Sequence, residues 1–289
     1  MMPASDPSAG AGKPTWLGTA LYIPLLYGAG WLLVLPLAAL LPAWGAERIS
    51  LLGTGMAFAL LLGSLPLRLR RVWGASHPWR TLGLARPWRA AGRAFLRGLL
   101  KALLLLLLIA LLLLASGHGH WSGSLRSGDL WNALALILGV GLAEELLFRG
   151  WLWGELALQL GGGARGDQRA MVLQAVLFSL VHTRFNLGPL ASLGLLGGLL
   201  MLGLALALQR RADAGALHGA IGLHGGLVGG WFLLQHGLLT IAPGTPLWLQ
   251  GPGGAFANPL GGVVGWLGLA LLLAARRRWW PPQVQSITP

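Results

Sequence analysis

Apolar residues in this chain come in long blocks, separated by shorter linkers that hold most of the charged residues. The block 103–114 contains only Leu, Ile and Ala, and apolar residues continue on both sides of it. The hydrocarbon core of a bilayer is about 30 Å thick and a helix rises about 1.5 Å per residue, so an apolar run of about 18 residues predicts a membrane-spanning helix. The pattern therefore predicts an all-α fold, a polytopic transmembrane helical bundle.

About eight blocks are long enough to be read as membrane-spanning helices. Their approximate limits are 16–41, 49–67, 93–115, 130–158, 168–184, 189–209, 214–237 and 260–275. No internal repeat is visible between them. We therefore expect a single transmembrane domain over 15–280, preceded by a polar, disordered tail over 1–14 and followed by a C-terminal tail over 281–289.

Basic residues are concentrated in alternate linkers, and this alternation predicts the orientation of the chain. Most of them lie in the even-numbered linkers and the C-terminal tail: Arg68, Arg70, Arg71, Arg80, Arg86, Arg89, Arg165, Arg169, Arg210, Arg211, Arg276, Arg277 and Arg278. The odd-numbered linkers hold only Arg48, Arg126 and Arg184. Because cytoplasmic linkers are enriched in Lys and Arg, we expect both termini in the cytoplasm, with the chain in a plasma membrane or other inner bacterial-type membrane.

The composition agrees with a membrane protein and narrows the possible partners. Only 10% of the residues are charged, whereas soluble domains average about a quarter. The net charge of +13 is explained by the linkers rather than by a basic face, so we expect membrane lipids and no nucleic acid as partners. The chain has no Cys, which excludes disulfides, thiolate catalysis and cysteine-based metal sites.

Two adjacent carboxylates, Glu144 and Glu145, lie inside the fourth predicted span. A charge at the bilayer centre costs about 2.5–3.5 kcal/mol on insertion scales. Arg149 follows Glu145 by four residues, so the two share a helix face and can form an ion pair. Glu144 is turned about 100° away, so we expect it to face other helices or a water-filled cavity. Glu155, in contrast, is close enough to the span end to reach the interface.

Two carboxylates in unequal environments are typical of acid–base catalysis. The alternative is a structural ion pair that fixes helix packing, and it explains Glu145 but not Glu144. Two histidines in other spans favour catalysis: His182 in the fifth and His224 in the seventh, the latter among glycines that would let a neighbouring backbone or a substrate approach closely. An imidazole can activate water, donate to an oxyanion or bind a metal, although a single His in a membrane helix is often only an interhelical hydrogen-bond partner.

Three motifs carry a resemblance to one family of membrane proteases. The segment EELLFRG at 144–150 resembles the EExxxR motif of the CPBP family, the CAAX-prenyl-protease and bacteriocin-processing intramembrane endopeptidases. FSLVH at 178–182 resembles the second motif, and GLH at 222–224 resembles the third. The order of the motifs and their placement on spans also agree, over a catalytic core of about 130–240. His218 and His236 match no motif and are set aside.

The resemblance implies an intramembrane endopeptidase that hydrolyses a peptide bond of a membrane-associated or prenylated peptide or protein. It implies that Glu144 is the base that activates water with the help of His182, and that His224 helps bind water or stabilises the oxyanion. It also implies supporting roles for three residues: Glu145, Arg149 and Phe178. Nothing resembles HExxH, so we expect no cofactor; a divalent metal such as zinc is the alternative, because the family has also been interpreted as metalloproteases.

One position departs from the family's pattern. The third motif often has Asn four residues after its His, and Val228 stands there in this chain. If that Asn donates to the oxyanion, its loss costs about a hundred- to a thousand-fold in turnover. The alternative function is therefore a catalytically impaired membrane scaffold or regulator of the same fold. A proton-coupled transporter ranks below both, because the paired halves typical of transporters are not visible.

Overall fold

The structure, a computed structural model, describes residues 13–41, 43–254 and 257–282. These residues fall into two compact units, one that ends at Thr81 and one that begins at Leu82. The tail predicted over 1–14 lies almost entirely outside the described residues, as does most of the tail predicted over 281–289. The single domain expected over 15–280 stays a prediction.

The first unit is built from two long apolar helices and one short helix. Helix α1 spans Trp16–Leu40, α2 spans Ala46–Trp73, and α3 spans Pro78–Thr81. The two long helices pack closely at one point, where a Cβ added to Gly30 would meet the backbone of Ala57 at 2.6 Å. Only glycine allows this approach without a shift of α2, so the contact depends on that residue.

Within the described residues, the second unit contains seven further α-helices. They are α4 Trp88–Ala115, α5 Ser127–Gln159, α6 Gly163–Val181, α7 Pro189–Ala212, α8 His218–Leu233, α9 Leu247–Gln250 and α10 Val263–Ala275. Helix α5 is π-helical over Leu136–Val140 and again over Glu145–Leu152, and α8 continues as a π-helix over Leu234–Leu238. Short π-helical turns inside α-helices are frequent at functional sites, and the second of these begins within the EELLFRG segment.

Two short strands form the only sheet in the part of the chain that the structure describes. Strand β1 spans Gly119–Trp121 and β2 spans Leu239–Ile241. They are antiparallel, with His120 opposite Thr240. The apolar pattern predicted only linkers at both places, because three-residue strands are too short to produce a visible alternation.

Each of the eight predicted blocks coincides with a helix, but not each helix is long and apolar enough to cross a membrane. Five helices of the described residues meet that condition by length and composition: α1, α2, α4, α5 and α7. Helix α10 has only 13 residues, and the first turns of α6 carry charged side chains. The helical fold with several candidate spans is confirmed, whereas the count of eight and the cytoplasmic termini remain expectations.

Helix α4 has one apolar face buried and another exposed, as lipid contact requires. The buried face packs into the core of the second unit through Leu106, Ile109 and Leu113. Exposed leucines line the other face: Leu96, Leu100, Leu103, Leu107 and Leu111. A contiguous apolar surface of this kind marks contact with a membrane or a partner rather than with water.

Helix α8 is enclosed on two sides because its glycines allow other helices to approach closely. A Cβ at Gly222 would meet the carbonyl of Phe95 on α4, and a Cβ at Gly225 would meet the carbonyl of Ile137 on α5. Neither position has room for a side chain unless a neighbouring backbone shifts. The expectation that glycines beside His224 admit a neighbouring backbone is confirmed, and the enclosure leaves His224 buried.

Buried polar groups near the ends of α5 and α7 contradict two expectations from the sequence. Glu155, expected to reach the interface, is fully buried. Arg210 and Arg211, assigned to a cytoplasmic linker, lie in the last turn of α7 and are also buried. Nη2 of Arg211 lies 2.5 Å from Oδ2 of Asp167 on α6. The linker assignment was wrong here because a paired charge can be buried at a helix end, and the sequence pattern does not contain the partner.

Candidate active site

Glu144 faces a cavity inside the second unit. The cavity measures about 370 Å³ and is lined by residues of α4 to α8 and of the segment before α10. The Glu144 side chain is 27% exposed, whereas the side chain of Glu145 is fully buried. Glu144 thus faces a cavity, one of the two environments predicted for it, and Glu145 is enclosed by protein. The π-helical turn that begins at Glu145 separates the two environments.

Both predicted histidines present the same ring nitrogen to Glu144. Nε2 of His182 lies 3.5 Å from Oε2 of Glu144, and Nε2 of His224 lies 3.7 Å from the same oxygen. Both distances are longer than a typical hydrogen bond, and that oxygen accepts none from the described residues. Oε2 of Glu144 and the two Nε2 atoms therefore lie close together at the cavity wall, and each of them can accept or release a proton.

The other ring nitrogen of each histidine is held by the protein. Nδ1 of His182 lies 2.7 Å from the carbonyl oxygen of Phe178, and Nδ1 of His224 lies 2.8 Å from Oε1 of Glu145. A carbonyl or an ionised carboxylate can only accept, so Nδ1 carries the proton in both rings. In the neutral ring Nε2 then keeps its lone pair, and it is Nε2 that faces Glu144.

Glu145 joins the buried ion pair to one of the histidines. Its Oε1 accepts from Nη1 of Arg149 at 2.9 Å and from Nδ1 of His224 at 2.8 Å. The ion pair with Arg149 was predicted from the four-residue spacing and is confirmed. The contact with His224 was not predicted, because it joins residues 79 positions apart on two different helices. Glu145 consequently orients the His224 ring.

Phe178 packs against most of the charged and aromatic groups of the site. Its ring centroid lies 4.8 Å from that of His182 and 5.6 Å from that of His224. Cζ of Arg149 lies 4.1 Å from the ring centroid, close enough for a cation–π contact. An edge-to-face contact with Phe148 at 5.1 Å completes the cluster. The structure therefore brings all of the predicted site residues together around this ring.

The remaining cavity wall is mostly apolar but includes polar groups that the sequence did not single out. Val228, at the position of the family's Asn, lines the cavity, and so do Gln235, His236 and Asn258. Oδ1 of Asn258 accepts from the N–H of Leu260 at 3.0 Å. The amide NH₂ of Asn258 donates to no acceptor within the described residues. No motif or spacing relates Asn258 to the other site residues, so it was not predicted.

Arg210 stabilises the π-helical turn of α5 that begins at Glu145. Its Nη1 donates to the backbone carbonyl of Arg149, which lies within the π-helical turn of α5. This contact ties the end of α7 to the segment that carries both glutamates. This contact was not predicted, because Arg210 lies beside Arg211 at the end of a predicted span and both were assigned to a basic linker.

No group of three or more His, Asp or Glu side chains in the described ranges is arranged to hold a metal ion. This observation does not test the expectation that the protein needs no cofactor. That expectation concerns the reaction, and activity measured with and without a chelator tests it.

Comparison with known protein families gives two matches. Residues 126–230 match the family described as type II CAAX prenyl endopeptidase Rce1-like. Residues 5–77 match a domain of unknown function, DUF8676. No curated protein and no solved structure matches the chain. The first matched segment contains every predicted site residue, and the second falls within the first compact unit.

Proposed function

Because residues 126–230 match the Rce1-like type II CAAX prenyl endopeptidase family, we propose that this integral membrane protein is an intramembrane endopeptidase that uses a water activated by Glu144. The observation that carries the proposal is the convergence of two imidazole Nε2 atoms on Oε2 of Glu144. A structural ion pair does not require this arrangement, because Glu145 and Arg149 form theirs without Glu144.

In the proposed reaction Glu144 removes one proton from a water molecule while the water oxygen attacks the carbonyl carbon of the scissile peptide bond. Nε2 of His182 accepts a hydrogen bond from the second water proton and orients the attack. The tetrahedral intermediate then collapses, the C–N bond breaks, and the proton held by Glu144 passes to the leaving nitrogen. The new carboxyl group keeps the water oxygen, and Glu144 returns to its ionised form.

The negative oxygen of the tetrahedral intermediate needs hydrogen-bond donors that are already in position. Nε2 of His224, held toward the cavity by Glu145, donates to this oxygen when the ring is protonated. We assign the second donor to the NH₂ group of Asn258, in place of the Asn that Val228 replaces. Because both side chains line the same cavity as Glu144, the departure at Val228 does not by itself favour the impaired scaffold.

The proposal extends to the membrane around the site. We propose eight spans with both termini in the cytoplasm, in a plasma membrane or other inner bacterial-type membrane. The partners are membrane lipids, which cover the exposed leucines of α4, and a peptide or protein substrate in or at the membrane. Neither nucleic acid nor a metal takes part.

Hydrolysis by protein reconstituted in proteoliposomes tests the proposed function. The probes are a peptide that ends in farnesyl-Cys-Val-Ile-Met and the same peptide without the prenyl group, and mass spectrometry detects the released fragment. Glu144→Gln, which is nearly isosteric, should lower turnover by about a hundred- to ten-thousand-fold. Glu47→Gln, a change at an exposed carboxylate of α2, should leave it unchanged.

Three results would count against parts of the proposal. Equal turnover by wild type and Glu144→Gln would remove Glu144 as the base. Absence of hydrolysis of both peptides by the wild type would contradict the endopeptidase. Loss of activity in a chelator, with recovery on addition of zinc, would replace the metal-free mechanism by a metal-dependent one.

A further inference from the structure

A second cavity, of about 450 Å³, lies beside β2. Its wall includes all of β2 and the turn that follows, and none of its lining residues belongs to β1. Gln235 and His236 line this cavity and also the cavity that holds Glu144. The two cavities therefore share part of their walls at Gln235 and His236.

Strand β1 uses only one edge of β2. The N–H of Ala242 donates to the carbonyl of His118 at 2.8 Å, so these two residues form a hydrogen-bonded pair. Hydrogen-bonded pairs alternate along an antiparallel ladder, so Thr240 also bonds toward β1. Leu239 and Ile241 consequently direct their backbone N–H and C=O groups toward the opposite edge.

Three of the backbone groups on that edge take part in no hydrogen bond within the described residues: the C=O of Leu239 and the N–H and C=O of Ile241. The N–H of Leu239 donates to the carbonyl of Leu234, where the π-helical end of α8 stops. A row of unpaired backbone groups on a strand edge is a template for an added strand. Peptide-binding proteins use such edges to hold an extended ligand by its main chain.

From these observations we propose that the open edge of β2 binds the substrate as an added antiparallel strand. The inference rests on the proposed function, because it states how the same site receives its peptide. Leu239 follows Gln235 and His236 closely in the chain, so it is the end of β2 nearer to the candidate active site. An antiparallel partner runs from Ile241 toward Leu239, and its C-terminal end therefore leads into the cavity of Glu144.

The antiparallel direction of the added strand determines which part of the substrate contacts β2 and which part enters the cavity of Glu144. Residues before the scissile bond pair with β2, and the C-terminal residues to be released occupy the cavity of Glu144. The peptide residue opposite Ile241 both donates to it and accepts from it. The residue two positions further on donates to the carbonyl of Leu239, and the one between them directs its N–H away from β2.

Backbone N-methylation of the probe tests this pairing without changing the protein. The farnesylated peptide, extended to about twelve residues and labelled with fluorescein, is bound to the Glu144→Gln variant so that no hydrolysis interferes. Single N-methyl groups are placed at successive positions before the Cys. Two positions, two residues apart, should weaken binding by about three- to tenfold each, the loss of one net hydrogen bond, and the position between them should have little effect.

A change in the strand edge tests the same contact from the side of the protein. Ile241→Pro removes the outward N–H and leaves the bonds to β1 in place, and proline is tolerated at such edge positions. It should raise the peptide KM about three- to tenfold with kcat unchanged. Circular dichroism checks that the Pro variant folds. If it does not fold, the N-methyl series alone tests whether the peptide pairs with β2.

The outcomes separate the two proposals. Alternating sensitivity to N-methylation without hydrolysis by the wild type would support strand addition and contradict the endopeptidase. Hydrolysis by the wild type with uniform or absent N-methyl effects would overturn strand addition and leave the endopeptidase in place.

Discussion

At the scale of single residues, the chemistry of the site depends on which nitrogen of each histidine faces Glu144. His182 uses Nδ1 to donate to a backbone carbonyl of its own helix, and His224 uses Nδ1 to donate to Glu145. These two acceptors leave Nε2 free in both rings and fix its direction. The buried Glu145–Arg149 pair thereby acts on the site through His224, although neither of its members lines the cavity.

The buried ion pair allows a test that separates stability from activity. Arg149→Leu leaves Glu145 buried without its cation, so the free energy of unfolding should fall by about 3–5 kcal/mol. The double variant Glu145→Leu/Arg149→Leu removes both charges and should recover most of that loss. It should remain inactive, because Nδ1 of His224 loses its acceptor. Chemical unfolding in detergent, together with peptide hydrolysis, measures both effects.

Two results would contradict this account of the pair. A double variant as unstable as Arg149→Leu would show that an unpaired charge is not the cause of the loss. An active double variant would show that Glu145 does not position His224.

The sequence predicted part of this site because some of its contacts are local. Residues four apart on a helix share a face, so the Glu145–Arg149 pair and the different direction of Glu144 follow from spacing alone. The contacts of His224 with Glu145 and of Arg210 with the backbone of Arg149 join different helices. Their geometry depends on how the helices pack, and no spacing along the chain contains that information.

At the scale of elements, helix α8 holds His224 in place because glycines let α4 and α5 approach it on two sides. The same helix carries Val228 in place of the family's Asn, one turn after His224. A polar side chain from a different element, Asn258 of the segment before α10, lines the same cavity. Under the proposed function, Asn258 takes the place of the Asn that the third motif lacks on α8.

The contribution of Asn258 can be separated from its structural role. Asn258→Asp keeps the oxygen that accepts from the N–H of Leu260 and removes the NH₂ donor. It should lower kcat by about a hundred- to a thousand-fold, the usual effect of losing one oxyanion donor, and retain the melting temperature of the wild type. Peptide hydrolysis measures the effect. If Asn258→Asp turns over as fast as the wild type, Asn258 is not the second donor, and the catalytically impaired scaffold is again the alternative function.

The elements themselves were predictable to different degrees. Long apolar helices follow from the length of the apolar blocks, and each block coincides with a helix. The sheet did not follow, because its strands lie in linkers and have three residues each. The π-helical turns of α5 did not follow either, since they change the helix geometry without changing the residue types.

At the scale of the whole molecule, the candidate active site belongs entirely to the unit that begins at Leu82. The unit that ends at Thr81 contains α1 and α2 and matches a different family description. The number of spans could not be fixed from the apolar pattern alone. Helix α10 is too short to be counted by length, and α6 begins with charged residues that include Asp167 and Arg169.

The orientation in the membrane can be measured directly, because the chain has no Cys and single cysteines can be introduced without interference. Ser127 lies at the end of the third predicted linker, and Ala164 lies in the fourth. In intact bacterial cells a membrane-impermeant maleimide should label Ser127→Cys, and it should label Ala164→Cys only after the cells are permeabilised. Equal labelling of both in intact cells would contradict the proposed orientation.

The position of Phe178 has a consequence for how charge is distributed in the molecule. Its ring lies against the guanidinium of Arg149 on one hand and against both imidazoles on the other. The ring therefore lies between Arg149, which pairs with the buried Glu145, and the two imidazoles that face Glu144 at the cavity. If the ring were absent, Arg149 would have room to approach Glu144 as well as Glu145. Glu144 would then be held in an ion pair and would no longer act as a base.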